Sequence, residues 1–151
     1  MKRFLILFLL MFSFSLSYGA GEKRIVKEEL PSVSLEFINR YYNTFEVAYC
    51  AIDKSLFKSS EYDVYLSNGI KIEFDNHGYL KSIISPERKG INLFILPVAI
   101  RNLIIKNYPN CYVYGYSIDH KGKSYEEHEV YLSNGHKLVF NRYSYLIEVD
   151  R

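Results

Sequence analysis

The residues of this chain able to do acid–base, nucleophilic or metal chemistry are four histidines, two cysteines and scattered carboxylates, and their spacing argues against each use. His77 and His120 fall in predicted turns or loops. His128 and His136 fall on one face of adjacent predicted strands, but four positions apart along the ladder. That is roughly 13 Å at about 3.3 Å per residue, too far for two ligands of one metal ion. No base is expected beside Cys50 or Cys111, as thiol catalysis requires. Asp63 and Glu73 could pose as a carboxylate pair, yet Lys71 and Lys81 stand beside them, so they read as a solvated charged face. Asp53 and Asp119 each follow a predicted strand, where turn capping is their role. No glycine-rich phosphate loop is present. The reading is of a protein that is not an enzyme and needs no cofactor or metal.

The abundant functional side chain is tyrosine, with 15 copies against no tryptophan. Tyrosine offers a large, fairly rigid contact area with a polar tip, which suits recognition surfaces. It also suits exposed sheets simply because aromatic residues tolerate strands well. Tyr112, Tyr114 and Tyr116 alternate along one predicted strand and are expected to point away from the helices. Tyr65 and Tyr131, each opposite a lysine (Lys71 and Lys137), are expected on the same outer face, and Tyr79 and Tyr145 join them. Tyr65, Lys71, Tyr112, Tyr114, Tyr116, Tyr131 and Lys137 are therefore the candidate binding residues.

The elements that position these groups follow from a repeat. Tyr65-Leu66-Ser67-Asn68-Gly69 recurs as Tyr131-Leu132-Ser133-Asn134-Gly135, sixty-six residues later, and Leu30-Pro31 recurs as Leu96-Pro97 at the same offset. Without a gap, residues 30–85 and 96–151 share eighteen identities over fifty-six positions. A fixed period of this length indicates a duplicated unit. Each unit opens on Leu-Pro, and proline suits the first turn of a helix. Apolar residues at spacings of three and four then predict helices over 31–42 and 97–108. Strands are predicted over 45–52, 61–66 and 70–75 in the first unit, and from 111–118 onward in the second.

Asn-Gly commonly closes a two-residue hairpin. Here that register would set Leu66 opposite Lys71 and Val64 opposite Glu73, mixing apolar and charged partners. A three-residue Ser-Asn-Gly loop pairs Leu66 with Ile70, Val64 with Ile72 and Tyr62 with Phe74, and in the second unit Val130 with Leu138 and His128 with Phe140. A slip of one residue inverts both faces, so burial selects the longer loop. A second loop at Asn76-His77-Gly78 brings Leu80 opposite Phe74 and Lys81 opposite Glu73. Ser144 replaces Gly78 in the second unit, which leaves the geometry of that loop open. The fold class is α+β: two tandem helix–strand–strand–strand repeats forming an antiparallel sheet with helices packed on one face. In this register Glu46, Ala48 and Cys50 lie on the outer face, and Cys50 and Cys111 point to opposite faces; whether they pair is left open.

Residues 1–19 have the layout of a signal peptide, with Lys2-Arg3, an apolar run from Phe4 to Leu16, and small residues at Ser17 and Gly19. The run is about thirteen residues, short of the roughly 20 that span a membrane, so no stable anchor is expected after cleavage. Without that segment the chain carries 17 basic and 17 acidic residues, which lacks the basic excess of a nucleic-acid binder. Residues 20–29 form a lead-in, 30–85 and 96–151 the two units, and 86–95 a linker.

Leu-Pro opening a short apolar helix that ends in Tyr, then a strand, then Val-Tyr-Leu-Ser-Asn-Gly and Lys-x-x-Phe, resembles the PepSY-like domain. That family groups with the β-lactamase-inhibitor-protein-like fold. The resemblance covers both repeats. It implies a small exported protein of Gram-negative bacteria, with helices on the convex side of a continuous sheet and the concave face open. In the inhibitor that names the fold, that face grips an enzyme; the resemblance brings no catalytic residues. The expectation is a periplasmic or secreted binding module for an unidentified protein or peptide, possible inhibition of an exported hydrolase included. The alternative is a small-ligand carrier or sensor with a pocket between helix and sheet.

Overall fold

The computed structural model describes residues 21–54, 59–86, 88–120 and 126–151; the signal-peptide segment lies outside them. The chain forms one nine-stranded sheet with strands in sequence order and every neighbouring pair antiparallel. The strands are β1 (Glu22–Arg24), β2 (Val47–Asp53), β3 (Glu61–Leu66), β4 (Lys71–Phe74), β5 (Leu80–Ile84), β6 (Val113–His120), β7 (Glu126–Leu132), β8 (Lys137–Asn141) and β9 (Leu146–Asp150). Helix α1 (Ser32–Tyr41) precedes β2 and helix α2 (Val98–Asn107) precedes β6. Short 3-10 turns at Lys27–Glu29 and Leu93–Ile95 lead into them, so the lead-in and the linker both carry regular structure. Four strands, rather than the expected three, follow each helix, because Leu80–Ile84 and Leu146–Asp150 continue the ladder beyond the second loop.

Pro31 and Pro97 stand just before the first helical residues, where a missing N–H costs nothing. Ser34, Ile38 and Tyr42 of the first helical segment, and Ile100 and Ile104 of the second, are buried. Ile38, Tyr42, Ile100 and Ile104 join Val64, Leu66, Ile72 and Phe74, and Val130, Leu132, Leu138 and Phe140, in one core, so both helices cover the same face. Burying a Leu, Ile or Phe fully is worth roughly 1.5–3 kcal/mol, which makes this face the main source of stability.

The register follows the three-residue loops. Val64 pairs with Ile72 and Tyr62 with Phe74; Val130 pairs with Leu138 and His128 with Phe140. The Leu66 N–H donates to the Ile70 carbonyl and the Leu132 N–H to that of His136, both at 2.9 Å. Gly69 and Gly135 take positive φ of 85° and 91°, as this loop demands. The second loops also match each other. Gly78 and Ser144 both have positive φ, and their N–H groups donate to the Asp75 and Asn141 carbonyls. Ser144 therefore accepts a left-handed conformation that glycine takes more cheaply.

In the first unit, two expectations of register and facing fail at bulges. Glu73 lies opposite Ser82, because the register shifts between Glu73 and Phe74. Lys81 pairs instead with Glu61 at 2.5 Å. A second bulge separates Val47 from Tyr49. It turns Tyr49 outward and Cys50 inward, where the thiol donates to the Ile25 carbonyl at 3.2 Å. Both cysteines are free thiols.

The core holds a stacked polar pair. Tyr116 and His128 are 2% and 5% exposed, with the tyrosine hydroxyl 2.7 Å from His128 Nδ1 and the rings stacked within 3° of parallel. His128 Nε2 lies 3.1 Å from Glu126 Oε1. With the proton on Nε2 facing the carboxylate, Nδ1 accepts from Tyr116 and every polar atom of the pair is satisfied. Burial holds the His128 pKa below its ordinary 6.5, against the smaller upward pull of Glu126.

Two outcomes are expected. A Cβ at Gly78 would meet the Pro31 Cβ at 2.6 Å and the Ser34 Oγ at 2.8 Å, whereas one at Gly135 meets nothing within 4 Å. Gly135→Ala should cost about 1 kcal/mol, for the left-handed conformation alone, and Gly78→Ala about 2–4 kcal/mol, since overpacking adds to it. Equal shifts in urea midpoint would contradict the close approach of this turn to α1. For His128, the unfolded chain binds more protons between the depressed folded pKa and 6.5. Its contribution to stability is complete above 6.5 and is lost as pH falls through that window. The protein should weaken as pH falls below about 6.5, and His128→Gln should flatten that slope in denaturation curves.

Candidate functional site

Strand side chains alternate between faces, and the helices occupy only one. The opposite face carries no helix, and the register arranges its side chains in rows across the sheet. One row runs Tyr49, Tyr65, Lys71, Ile84, Gly115, Tyr131, Lys137 and Asp150. The adjoining row runs Arg24, Ala51, Asp63, Glu73, Ser82, Ser117, Glu129, Val139 and Glu148. The first is rich in tyrosine; the second holds four carboxylates, with a single base at the β1 edge.

Each lysine of the first row sits between two carboxylates. Lys71 Nζ lies 2.5 Å from Glu73 and 3.3 Å from Asp63. Lys137 Nζ lies 2.8 Å from Asp150 and 3.7 Å from Glu129. Burial opposes the charge on Lys71, but the Glu73 hydrogen bond and both carboxylates outweigh it and raise its pKa. Burial likewise opposes ionisation of Glu73, yet hydrogen bonds from Lys71 and Ser82 hold its pKa below the ordinary value. At Asp63 burial prevails over Lys71 and the pKa rises. The lysines are thus neutralised locally, and the face keeps an excess of negative charge.

The tyrosines form two clusters. Tyr49 and Tyr65 have ring centroids 5.8 Å apart, with the Arg24 guanidinium 5.4 Å from the Tyr49 centroid and Lys71 Nζ 5.7 Å from that of Tyr65. Tyr114 and Tyr131 lie 6.2 Å apart, with Arg88 5.5 Å from the Tyr114 centroid. Tyr131 packs over Gly115, where an added Cβ would stand 3.1 Å from its ring. The Tyr131 hydroxyl donates to Glu129 at 2.7 Å. Such cation–aromatic and aromatic pairs hold the rings in place without hiding them.

The structure thus brings together Tyr65, Lys71, Tyr114, Tyr131 and Lys137 of the candidate residues. Tyr112 stands exposed ahead of β6, its N–H donating to Ser133 Oγ at the loop. Tyr116 does not belong to the group: it lies in the core opposite Val130. The reason is a bulge between Val113 and Gly115, which inserts one residue and reverses the alternation beyond it. Tyr79 is likewise displaced, lining the helix side rather than the sheet face. Tyr49, Arg24 and Arg88 were missed in the sequence. Tyr49 depends on the equivalent bulge in β2, and glycine at 115 was the one local sign of such an irregularity.

The helix side has its own feature, a cleft of about 550 Å³ between α1 and α2. Phe37 and Tyr41 form one wall, Phe94, Val98 and Arg101 the other, and Tyr116 and His128 the floor. Among the described residues, no group of three or more His, Cys, Asp or Glu side chains could hold a metal ion, and no helix is long and apolar enough to cross a membrane.

No curated protein matches the chain. A solved structure from Bacteroides thetaiotaomicron, described as a "putative calcium-regulated periplasmic protein", is 28% identical, with a TM-score of 0.78 over 86% of this chain and 97% of its own. A "putative periplasmic protein from DUF2874 family" of Bacteroides vulgatus is 26% identical, with a TM-score of 0.77 over 88% of this chain and 99% of its own. A second Bacteroides vulgatus periplasmic protein, of unknown function, is 26% identical with a TM-score of 0.76 over 87% and 100%. Residues 60–148 match the family model described as "Putative beta-lactamase-inhibitor-like, PepSY-like", and on that match, which spans more than half of the sequence, the chain belongs to the PepSY-like family.

Proposed function

We propose that this protein is an exported, non-catalytic binding module of the periplasm, and that its helix-free sheet face takes a protein or peptide partner bearing basic residues. The observation that carries this reading is the pairing of tyrosine clusters with unbalanced carboxylates on one open surface. Aromatic anchors supply contact area, and complementary charge supplies orientation and encounter rate. In its sharper form the partner is an exported hydrolase, blocked because the sheet occludes its active site. The neighbours' descriptions as periplasmic proteins support the compartment.

The face arises from duplication in this reading. A sixty-six-residue offset relates the starts of the two 3-10 turns, the two helices, β2 and β6, β4 and β8, and β5 and β9. Side-by-side copies extend one sheet to a span that a single copy lacks. Among the described residues, no cluster of metal-holding side chains matches the calcium regulation in one neighbour's description.

The test is capture from a periplasmic extract on immobilised protein. Tyr65→Ser with Tyr114→Ser should abolish retention of the partner, and rising salt should weaken retention by wild type. These are surface substitutions, so the thermal midpoint should move by no more than about 2–4 °C. Undiminished capture by the double variant, at an unchanged midpoint, would refute recognition by this face.

A further inference from the structure

The cleft between the helices differs from the sheet face in polarity and in the sign of its charge. Its walls are apolar and aromatic, with Phe94 and Val98 70% and 61% exposed at its rim. Large apolar side chains left in water around a concavity mark a binding site more often than an accident of the surface. The floor is aromatic in effect. The polar atoms of Tyr116 and His128 are occupied by each other and by Glu126, so the cleft meets ring surface rather than unpaired donors.

Charge sets the second half of the recognition. Among the described residues, Arg101 is the only ionised side chain on the lining, and no carboxylate lines the cleft. Its guanidinium lies 4.7 Å from the Phe94 ring centroid, and among the described residues it is paired with no carboxylate. A guanidinium stacked on a ring keeps its edge N–H groups free, and those groups suit a planar carboxylate. We propose that the cleft between α1 and α2 binds a small amphipathic carboxylate, its apolar body against the aromatic walls and floor and its carboxylate on Arg101. A cavity of this size lies within the range of small-molecule sites. The site is independent of the sheet face, which lies on the other side of the sheet.

The test uses decanoate and its neutral counterpart decanol, titrated into the protein by calorimetry with amide chemical shifts mapped in parallel. Saturable decanoate binding is expected, with shifts at Phe37, Phe94 and Arg101 and weaker binding of decanol. Arg101→Gln should weaken decanoate about tenfold and leave decanol unchanged, the size of one charge-assisted hydrogen bond. Val98→Asp, an exposed change that places a like charge at the rim, should weaken decanoate without altering the fold. Absence of saturable binding would overturn the proposal, as would equal affinity for decanoate and decanol or shifts confined to the sheet face. A self-associating protein whose dimer is broken by Val98→Asp, with no decanoate binding, would assign the cleft to a second copy instead and would also overturn it.

Discussion

The structure depends on the closure of two three-residue loops. At each, a leucine N–H reaches the carbonyl four residues on, glycine supplies the left-handed residue, and an asparagine oxygen accepts the N–H two residues beyond it. This fixes Val64 against Ile72 and Val130 against Leu138. Had the loop been two residues, every side chain in β4 and β8 would have changed face, exposing the core and burying lysines. The sorting of the sheet into an apolar side under the helices and a charged, tyrosine-bearing side is set by these two turns, while the helices add the cover.

That constraint is why so much of the fold was legible. The Ser-Asn-Gly register could be chosen from apolar pairing alone, because only one alternative buried Val64, Ile72 and Phe74 together. The helices were legible from proline and apolar spacing to within a residue at each end. The bulges at Ala48 and Tyr114 were not. A bulge is a two-against-one mismatch between strands, and period-two reading of one strand carries no record of it. Its cost was specific: everything on the far side of the bulge inverted, so Tyr116 and Cys50 were assigned outward while both lie inside. The loop-side residues Tyr65, Lys71, Tyr131 and Lys137 were placed correctly because their register was counted from the turn itself. The Lys81 expectation failed for the same reason, one residue past the Glu73–Phe74 irregularity.

The sheet face and the cleft divide the chemistry of the molecule. On the sheet face, positive charge is spent within local pairs, Lys71 with Glu73 and Lys137 with Asp150. Exposed pairs of this kind contribute little to stability, on the order of 0–1 kcal/mol. Their consequence is electrostatic: the surface left over is negative and aromatic. In the cleft on the helix side the sign reverses, since among the described residues the sole ionised group on its lining is Arg101. A single formal charge near zero for residues 20–151 therefore conceals two surfaces of opposite character.

Many core residues agree between the two halves, as Val64 with Val130, Leu66 with Leu132 and Phe74 with Phe140, while Ser34 of α1 answers Ile100 of α2. They differ also where β5 meets β6. Cys50 on β2 meets the Ile25 carbonyl next to the three-residue β1, whereas Tyr116, sixty-six residues later, lies opposite Ile83 of the full-length β5. Cys50 is buried beside the β1 edge, while Tyr116 reaches the floor of the cleft between α1 and α2. Burying that hydroxyl then requires an acceptor, because an unpaired one would cost on the order of 1–3 kcal/mol. His128 stands where the first half has Tyr62, and its Nδ1 is that acceptor. The cleft floor therefore lies at the seam between β5 and β6, where the polar tip of the large residue calls for the histidine.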